Sequence, residues 1–419
     1  MYRVDGPQPF SLTVSDVNHH HSYRAPEDEG EAALHFFRNC RSTRDGCDNI
    51  IRSLHVKNPH HKKPNPRQGV TAGPTETIGT AIAERSLKDA RSCQTQEAPP
   101  LREIPGRNSR NRTRSRNEIV IGGAQRRRDI VPNQKNTNVF LIDTACNSRP
   151  KFRVWCSIES WAHVNPGLQI WFIMTSPRIS DFEGFPSKLL QKYPNLNIVG
   201  ADVEKMVEDT PLKQLFDSKK WMQNNTWPVE LLSDMMRVLV LWHWGGVYSD
   251  TDVISIRPFN LPLNSLGYET NFQIGSAVYS FEAQQSIIWH LMEDMVNGFE
   301  PELWGSIGPK AITRVVKAMC DVVDLETLLP KTPVTCGRVT LHPRQTFYPV
   351  DYTQSKKFFT KNGGKRFKKI FRRSYAVHFW NKMSKEFMVK KGDKSLYEVA
   401  AKKYCPVSYS EATLEADTF

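Results

Sequence analysis

The chain has no uninterrupted apolar run approaching the roughly 18 residues a membrane helix requires, and its first residues carry no apolar core of the signal-peptide kind. None of its 8 cysteines form a C-x-x-C pair, which argues against a zinc ribbon. Acidic residues are also in short supply: 44 Asp and Glu stand against 57 Lys and Arg, a formal charge of +13. That balance suits phosphorylated substrates, an anionic membrane surface or nucleic acid. No nucleic-acid reader motif accompanies the charge, so nucleic acid is not an expected partner. At 419 residues, the chain can form one or two domains with a sizeable core.

Periodicity is missing from the first third. Residues 1–132 are rich in Arg, Asn, His, Ser and Pro and hold strongly basic segments at Arg107–Arg116 and Arg126–Arg128. This composition predicts a disordered basic and polar region. His19–His21 and His60–His61 have no partners at ligand spacing and read as solvated tail. Asn111 and Asn224 head glycosylation sequons.

From Val139 the texture changes. Val139–Ile142, Leu168–Met174 and Leu196–Val199 read as buried strands, with helices at Phe152–His163 and Ser187–Lys192 between them. Strands alternating with helices at this spacing predict an α/β fold with βαβ units on a parallel sheet. Pro228 opens a helix that Gly245-Gly246 closes. Val253–Ile256, Phe272–Phe281 and Tyr375–Phe379 read as further strands, and Gln284–Met295 and Pro309–Met319 as helices. A folded domain is expected over 133–407, with a C-terminal tail over 408–419. The cysteines read either as buried thiols or as one or two disulfides of a secretory domain, with Cys320 and Cys336 as the pair.

Two carboxylates carry the chemistry. In an extended segment Asp250 and Asp252, at i and i+2, point the same way. A hard divalent cation accepts one or two carboxylates together with phosphate oxygens, and it can stabilise a departing diphosphate. A bare D-x-D is a weak signal. The string Gly245-Gly-Val-Tyr-Ser-Asp-Thr-Asp252 is more specific, because it sets the acids at a strand end beyond a glycine turn, where α/β sheets bind ligands. One helix upstream, Asp234 and Arg237 share a face of a helix that is apolar nearly all round. They are either a surface ion pair or a buried functional pair.

Ser233-Asp-Met-Met-Arg237 followed by Gly245-Gly-Val-Tyr-Ser-Asp-Thr-Asp252 resembles the sugar-nucleotide site of glycosyltransferase family 32. Trp155–Glu159, Trp304-Gly-Ser-Ile-Gly-Pro309, Gln345–Pro349 and Ala376-Val-His-Phe-Trp-Asn-Lys382 extend the likeness to its alpha-1,4-glycosyltransferase subgroup, over roughly residues 138–407. The resemblance implies a GT-A fold, a Rossmann-like sheet that binds a UDP-sugar and Mn²⁺ (or Mg²⁺). It further implies transfer of galactose or an N-acetylhexosamine with retention, in alpha-1,4 linkage, to a glycan or glycolipid.

Carried onto this chain, the resemblance gives the metal to Asp252, Asp250 and His378, and the ribose to Asp250. Donor-sugar hydroxyls fall to Asp234, the sugar or diphosphate to Arg237, and Tyr248 joins the nucleotide-sugar set. The donor-sugar or acceptor region then holds Gly275, Ser276, Trp304, Gly308 and Pro309. Without the resemblance, a histidine in an apolar strand such as His378 is ordinarily a core residue. Gly275-Ser276 departs from the subgroup, which carries two asparagines there. The subgroup also implies the lumenal face of the Golgi membrane. The basic run Lys356–Arg373 is either a solvated surface or a rest against anionic headgroups. A non-catalytic GT-A fold, binding partners through its basic N-terminal region, is the rival reading.

Overall fold

The computed structural model describes residues 118–120 and 132–418, except 134, 177, 181–183 and 224. The histidine runs, the arginine-rich segments, both sequons and nearly all of the region expected to be disordered lie outside the described residues. One element falls within that region: strand β1, Glu118–Val120. It is too short to show a period.

The apolar runs of the first half form the strands expected of them. β2 (Asn138–Asp143) and β3 (Gln169–Met174) are buried along nearly their whole length, as strands covered on both faces must be. Their side chains alternate between two cores. Val139, Leu141, Ile170 and Phe172 join one cluster, and Phe140, Ile142, Trp171 and Ile173 the other. β4 (Arg178–Ser180) pairs with β1 in antiparallel sense.

The remaining strands are β5 (Leu196–Gly200), β6 (Gly246–Ser249), β7 (Val253–Ser255), β8 (Ser265–Tyr268), β9 (Ile274–Phe281), β10 (Val334–Cys336), β11 (Val339–His342) and β12 (Ala376–His378). The main sheet has eight strands in the order β10-β11-β8-β9-β6-β2-β3-β5. β5, β3, β2 and β6 run parallel, and β9 runs antiparallel to both β6 and β8. Helices flank a doubly wound half and a mixed half, which is the GT-A class that the resemblance implied.

The helix Pro228–Trp244 places proline in its first turn and stops at Gly245, whose φ is +63°. A Cβ there would lie 2.1 Å from Asn136 Oδ1 and 2.5 Å from the Ala283 nitrogen, so glycine alone fits. The helix buries Leu231, Met235, Leu239 and Val240, and with them Asp234 and Arg237.

Three features go beyond the sequence reading or depart from it. β12 leaves the main sheet and pairs only with β7, antiparallel, with His378 opposite Val253. β8, β10 and β11 have no counterpart in the apolar pattern. The expected tail over 408–419 is instead largely a helix, Pro406–Glu415, with Ser408, Tyr409 and Ala412 buried. Its first turn is capped by Glu159, a wholly buried carboxylate that accepts from the Val407 and Ser408 amides at 2.9 and 2.7 Å. A disulfide from Cys156 to Cys405 ties the same region to the first long helix, Phe152–Val164, and a second joins Cys320 to Cys336.

Candidate active site

β6 ends at Ser249, but the Asp250 amide still donates to Ala277 O at 2.8 Å and so stays fixed to β9. The chain then reverses, with the Val253 amide donating to Asp250 O at 3.2 Å. The two aspartates therefore converge across a turn, where an extended segment was expected. β12 closes the turn from outside: the Phe379 amide donates to Asp252 O at 3.0 Å. This register sets His378 Nε2 3.0 Å from Asp252 Oδ1 and the Asn381 amide 2.7 Å from Oδ2. Ligand atoms of Asp250, Asp252 and His378 all lie within 4.8 Å of one another. The imidazole is wedged between Tyr348 and Trp380, with centroids 5.7 and 4.0 Å away, and its buried Nδ1 has no hydrogen-bond partner.

Arg237 organises the other half. Nη2 lies 3.1 Å from Asp234 Oδ1 and 3.4 Å from Asp250 Oδ1. Nη1 donates to Ser276 O at 2.5 Å, and Nε and Nη2 reach Ser233 O and Oγ. The guanidinium sits over the Tyr248 ring at 4.7 Å. Tyr248, expected among the ligand-binding residues, is wholly buried and lies behind Asp250, donating its hydroxyl to Oδ1 at 2.6 Å.

The residues expected around donor and acceptor divide. Gly308 abuts Asp234: a Cβ there would fall 2.5 Å from Oδ2 and 2.6 Å from Oδ1. Gly275 makes room for Tyr348, whose hydroxyl would lie 2.3 Å from an added Cβ and accepts from the Ala277 amide. Ser276 meets Arg237 through its carbonyl, so its side chain is not needed for that contact. Trp304 is 42% exposed at the rim, with Lys382 Nζ 3.5 Å from its ring centroid and Trp227 at 5.4 Å. Pro309 opens the helix Pro309–Met319 and touches no site residue through the contacts described. Cys320 and Cys336 are bonded to each other and belong to the scaffold.

Residues 151–273 match the family described as a glycosyltransferase sugar-binding region containing the DXD motif, and residues 280–412 the alpha 1,4-glycosyltransferase conserved region. Rat lactosylceramide 4-alpha-galactosyltransferase is 30% identical over 284 residues, 66% of this chain and 76% of that protein. This chain belongs to the alpha-1,4-glycosyltransferase family. Among other relatives of the transferase, human alpha-1,4-N-acetylglucosaminyltransferase is 28% identical over 282 residues, covering 65% of this chain and 80% of that one. The human lactosylceramide enzyme is 27% identical over 285 residues, covering 65% and 76%.

Electrostatics in the transferase follow the geometry. Burial alone would raise the Asp252 carboxyl, but the His378 charge, its hydrogen bond and the Asn381 amide outweigh burial and hold it below its ordinary range. For His378, burial pulls down and Asp252 pulls up more strongly, so the ring holds a proton above its usual pKa. Burial lifts Asp234 to about 6, against the opposing pull of Arg237.

Burial also lifts Glu269 to about 7, with Asp250 and Asp351 adding to it and His378 and the Gln273 amide opposing. Sequence reasoning missed Glu269. It follows β8, two residues beyond Gly267, whose missing Cβ admits the Phe347 ring. That alternation places Glu269 on the Phe347–Tyr348 side of the sheet. Tyr348 lies within the Gln345–Pro349 motif, and the void at Gly275 reveals its role.

The donor set fits a divalent cation. Two carboxylate oxygens and an imidazole nitrogen together can ligate one divalent metal ion. Opposed ligands of an octahedral ion at 2.0–2.1 Å lie about 4.2 Å apart, so a site spanning 4.8 Å needs only slight contraction.

Proposed function

We propose that the chain transfers galactose or an N-acetylhexosamine from a UDP-sugar, with retention and in alpha-1,4 linkage, to a glycolipid in glycosphingolipid biosynthesis. The observation that carries this is the convergence of Asp250, Asp252 and His378 on one point, next to the buried Asp234–Arg237 pair. Mn²⁺ held by those three would supply positive charge opposite the diphosphate.

The chain's own groups divide the remaining work. Asp234, backed by Arg237 and bare of side chain on its Gly308 side, accepts hydrogen bonds from donor-sugar hydroxyls. Arg237 is a positioning residue: its N–H groups are spent on Ser233, Ser276, Asp234 and Asp250, leaving little for a phosphate. Tyr248 holds Asp250 in the same way. Asn381 and His378 fix the orientation of Asp252.

A cavity of about 310 Å³ lies past the ends of β2 and β3, lined by Thr144, Thr175, Trp221, Pro228, Val229 and Leu232 among others. None of the site carboxylates line it, yet it shares the Asp234 helix. We assign it to the nucleoside half of the donor, in keeping with ligand binding at strand carboxyl ends. The relatives' glycolipid names support lumenal action at the Golgi membrane, as do the Cys156–Cys405 and Cys320–Cys336 disulfides among the described residues, which need an oxidising compartment.

The test is direct. The purified chain is given UDP-galactose, UDP-N-acetylgalactosamine or UDP-N-acetylglucosamine with Mn²⁺ and lactosylceramide or related acceptors. Product NMR should show one alpha-1,4-linked sugar added. Absence of both UDP release and product with every donor, in Mn²⁺ or Mg²⁺, would end the proposal.

A further inference from the structure

A donor diphosphate would bring negative charge to a site that already holds three carboxylates, Asp234, Asp250 and Asp252. A divalent ion offsets part of that charge, and the remainder calls for a cation with N–H groups to give. The two arginines nearby are committed. Those of Arg237 are spent on Ser233, Ser276, Asp234 and Asp250. Arg153 Nη1 donates to Ser384 O at 3.1 Å and to Asn381 Oδ1 at 3.4 Å, and its Nη2 donates to Phe387 O.

Lys382 is placed differently. The Asn381 amide is bound to Asp252, and the Met383 and Ser384 amides both donate to Trp380 O at 2.8 Å. The backbone on either side of Lys382 is therefore pinned beside the metal site, while its four-carbon stem is flexible. Its ammonium crosses to the other half of the mouth, 2.8 Å from Glu230 Oε1 and 3.5 Å from the Trp304 ring centroid. Both partners adjoin Asp234. Glu230 stands one turn ahead of it on the same helix face, about 6 Å along the axis. Trp304 precedes by four residues the Gly308 that abuts its carboxylate. Lys382 thus bridges the Asp252 and Asp234 sides of the entrance. Such a bridge is ordinarily a surface ion pair and nothing more. With side chains 47 and 39% exposed it is also a weak one, so little is lost when it opens.

We propose that Lys382 is a diphosphate-binding residue that changes partners during turnover. Its ammonium leaves Glu230 and Trp304 for the phosphate oxygens of the donor and returns when UDP departs. Glu230 and Trp304 hold it at the mouth in between. The exchange trades a contact open to water for one beside the buried carboxylates and the metal, where charge is screened less. No covalent bond is made or broken in this step. The proposal rests on the donor being a UDP-sugar.

The experiment is calorimetric titration of the full chain with UDP in the presence of Mn²⁺, beside thermal melts. Lys382→Met should weaken UDP binding at least about tenfold, or about 1.4 kcal/mol. Lys382→Arg keeps the charge and should stay within about threefold of the parent. Lys385→Met removes the same charge three residues on, from an exposed position, and should also stay within about threefold. Glu230→Gln should act in the opposite sense and tighten UDP binding about two- to fivefold, because it removes the competing partner. That gain should vanish in Lys382→Met/Glu230→Gln, since there is no ammonium left to release. A merely structural bridge would make Lys382→Met and Glu230→Gln alike, both weakening UDP and both lowering the melting temperature. That result overturns the proposal, as does a gain from Glu230→Gln that survives in the double variant. If the parent binds UDP and Lys382→Met binds it equally well, this proposal falls and the donor reading stands. If the parent binds no UDP in Mn²⁺, both fall.

Discussion

Gly308→Ala is the smallest change that tests the arrangement around Asp234. A Cβ at Gly308 meets the Asp234 carboxylate directly, so the effect followed here is one of contact. The new methyl would sit 2.5 and 2.6 Å from the two carboxylate oxygens, about 0.9 Å inside ordinary contact. Asp234 cannot retreat far, because Arg237 already holds Oδ1 at 3.1 Å. A displacement near 1 Å at a substrate-positioning group costs about 100-fold in rate, or about 2.7 kcal/mol of barrier. Overpacking should cost a further 1–3 kcal/mol of stability, at about the usual scale. Initial rates of UDP release with saturating Mn²⁺, beside thermal melts, separate the two effects. The same substitution placed on Asp234→Ala should add little, since the group it displaces is gone. Rates within threefold of the parent, or losses that simply multiply in the double variant, would refute the reasoning.

Other consequences are as definite. Asp252→Asn keeps an acceptor for the Asn381 amide but removes the charge, so turnover should fall by about 10³ or more while near-ultraviolet circular dichroism stays native; an unchanged rate removes the assignment. Because the His378 proton is held above its usual pKa, Mn²⁺ affinity should climb as pH rises through that raised value; a flat affinity in calorimetry across the ring's own titration, itself followed by NMR of the metal-free chain, would mean the ring is no ligand. Glu269 has a folded pKa of about 7 against 4.5, so its protonated form favours the fold and stability drains away as pH rises between those values. Glu269→Gln should accordingly match the parent at pH 4.5 and exceed it by about 3 kcal/mol at pH 8 in metal-free urea unfolding, a sign that is easily checked. Cys405→Ser should lower stability by about 2–5 kcal/mol, and a melting temperature insensitive to reductant would contradict a structural Cys156–Cys405 link.

The scaffold was legible where burial on both faces forces nearly unbroken apolar runs, as in β2 and β3. β8 was not, because Ser265-Leu-Gly-Tyr268 owes its strand to pairing with β9 and its glycine to the Phe347 ring. The helix Pro406–Glu415 hid behind its serines and threonine, and its stability comes from Glu159, some 250 residues away in sequence. Of the site, Asp250 and Asp252 could be read directly, and Asp234 and Arg237 from helical spacing within an apolar helix. The approach of His378 to Asp252 could not be reached from local pattern and came only with the family resemblance. Packing also qualifies one sequence inference. Since His378 is wedged against Tyr348 and Trp380, its removal should cost about 2 kcal/mol of stability as well as metal affinity.

The order of the chain gives β12 a further meaning. Every strand of the eight-stranded sheet precedes residue 343, so all of its pairing partners are synthesised before β12. Asp252, however, meets His378 and Asn381 only after translation has moved well past them, the latter 129 residues on. A ribosome-bound chain, or one cut short by a stop codon soon after His342, would carry both aspartates yet lack the imidazole and amide that orient one of them. The same late segment supplies Phe347, Tyr348, Phe379, Tyr397 and other members of one of the two cores, so early truncations should lose the frame and the chemistry together.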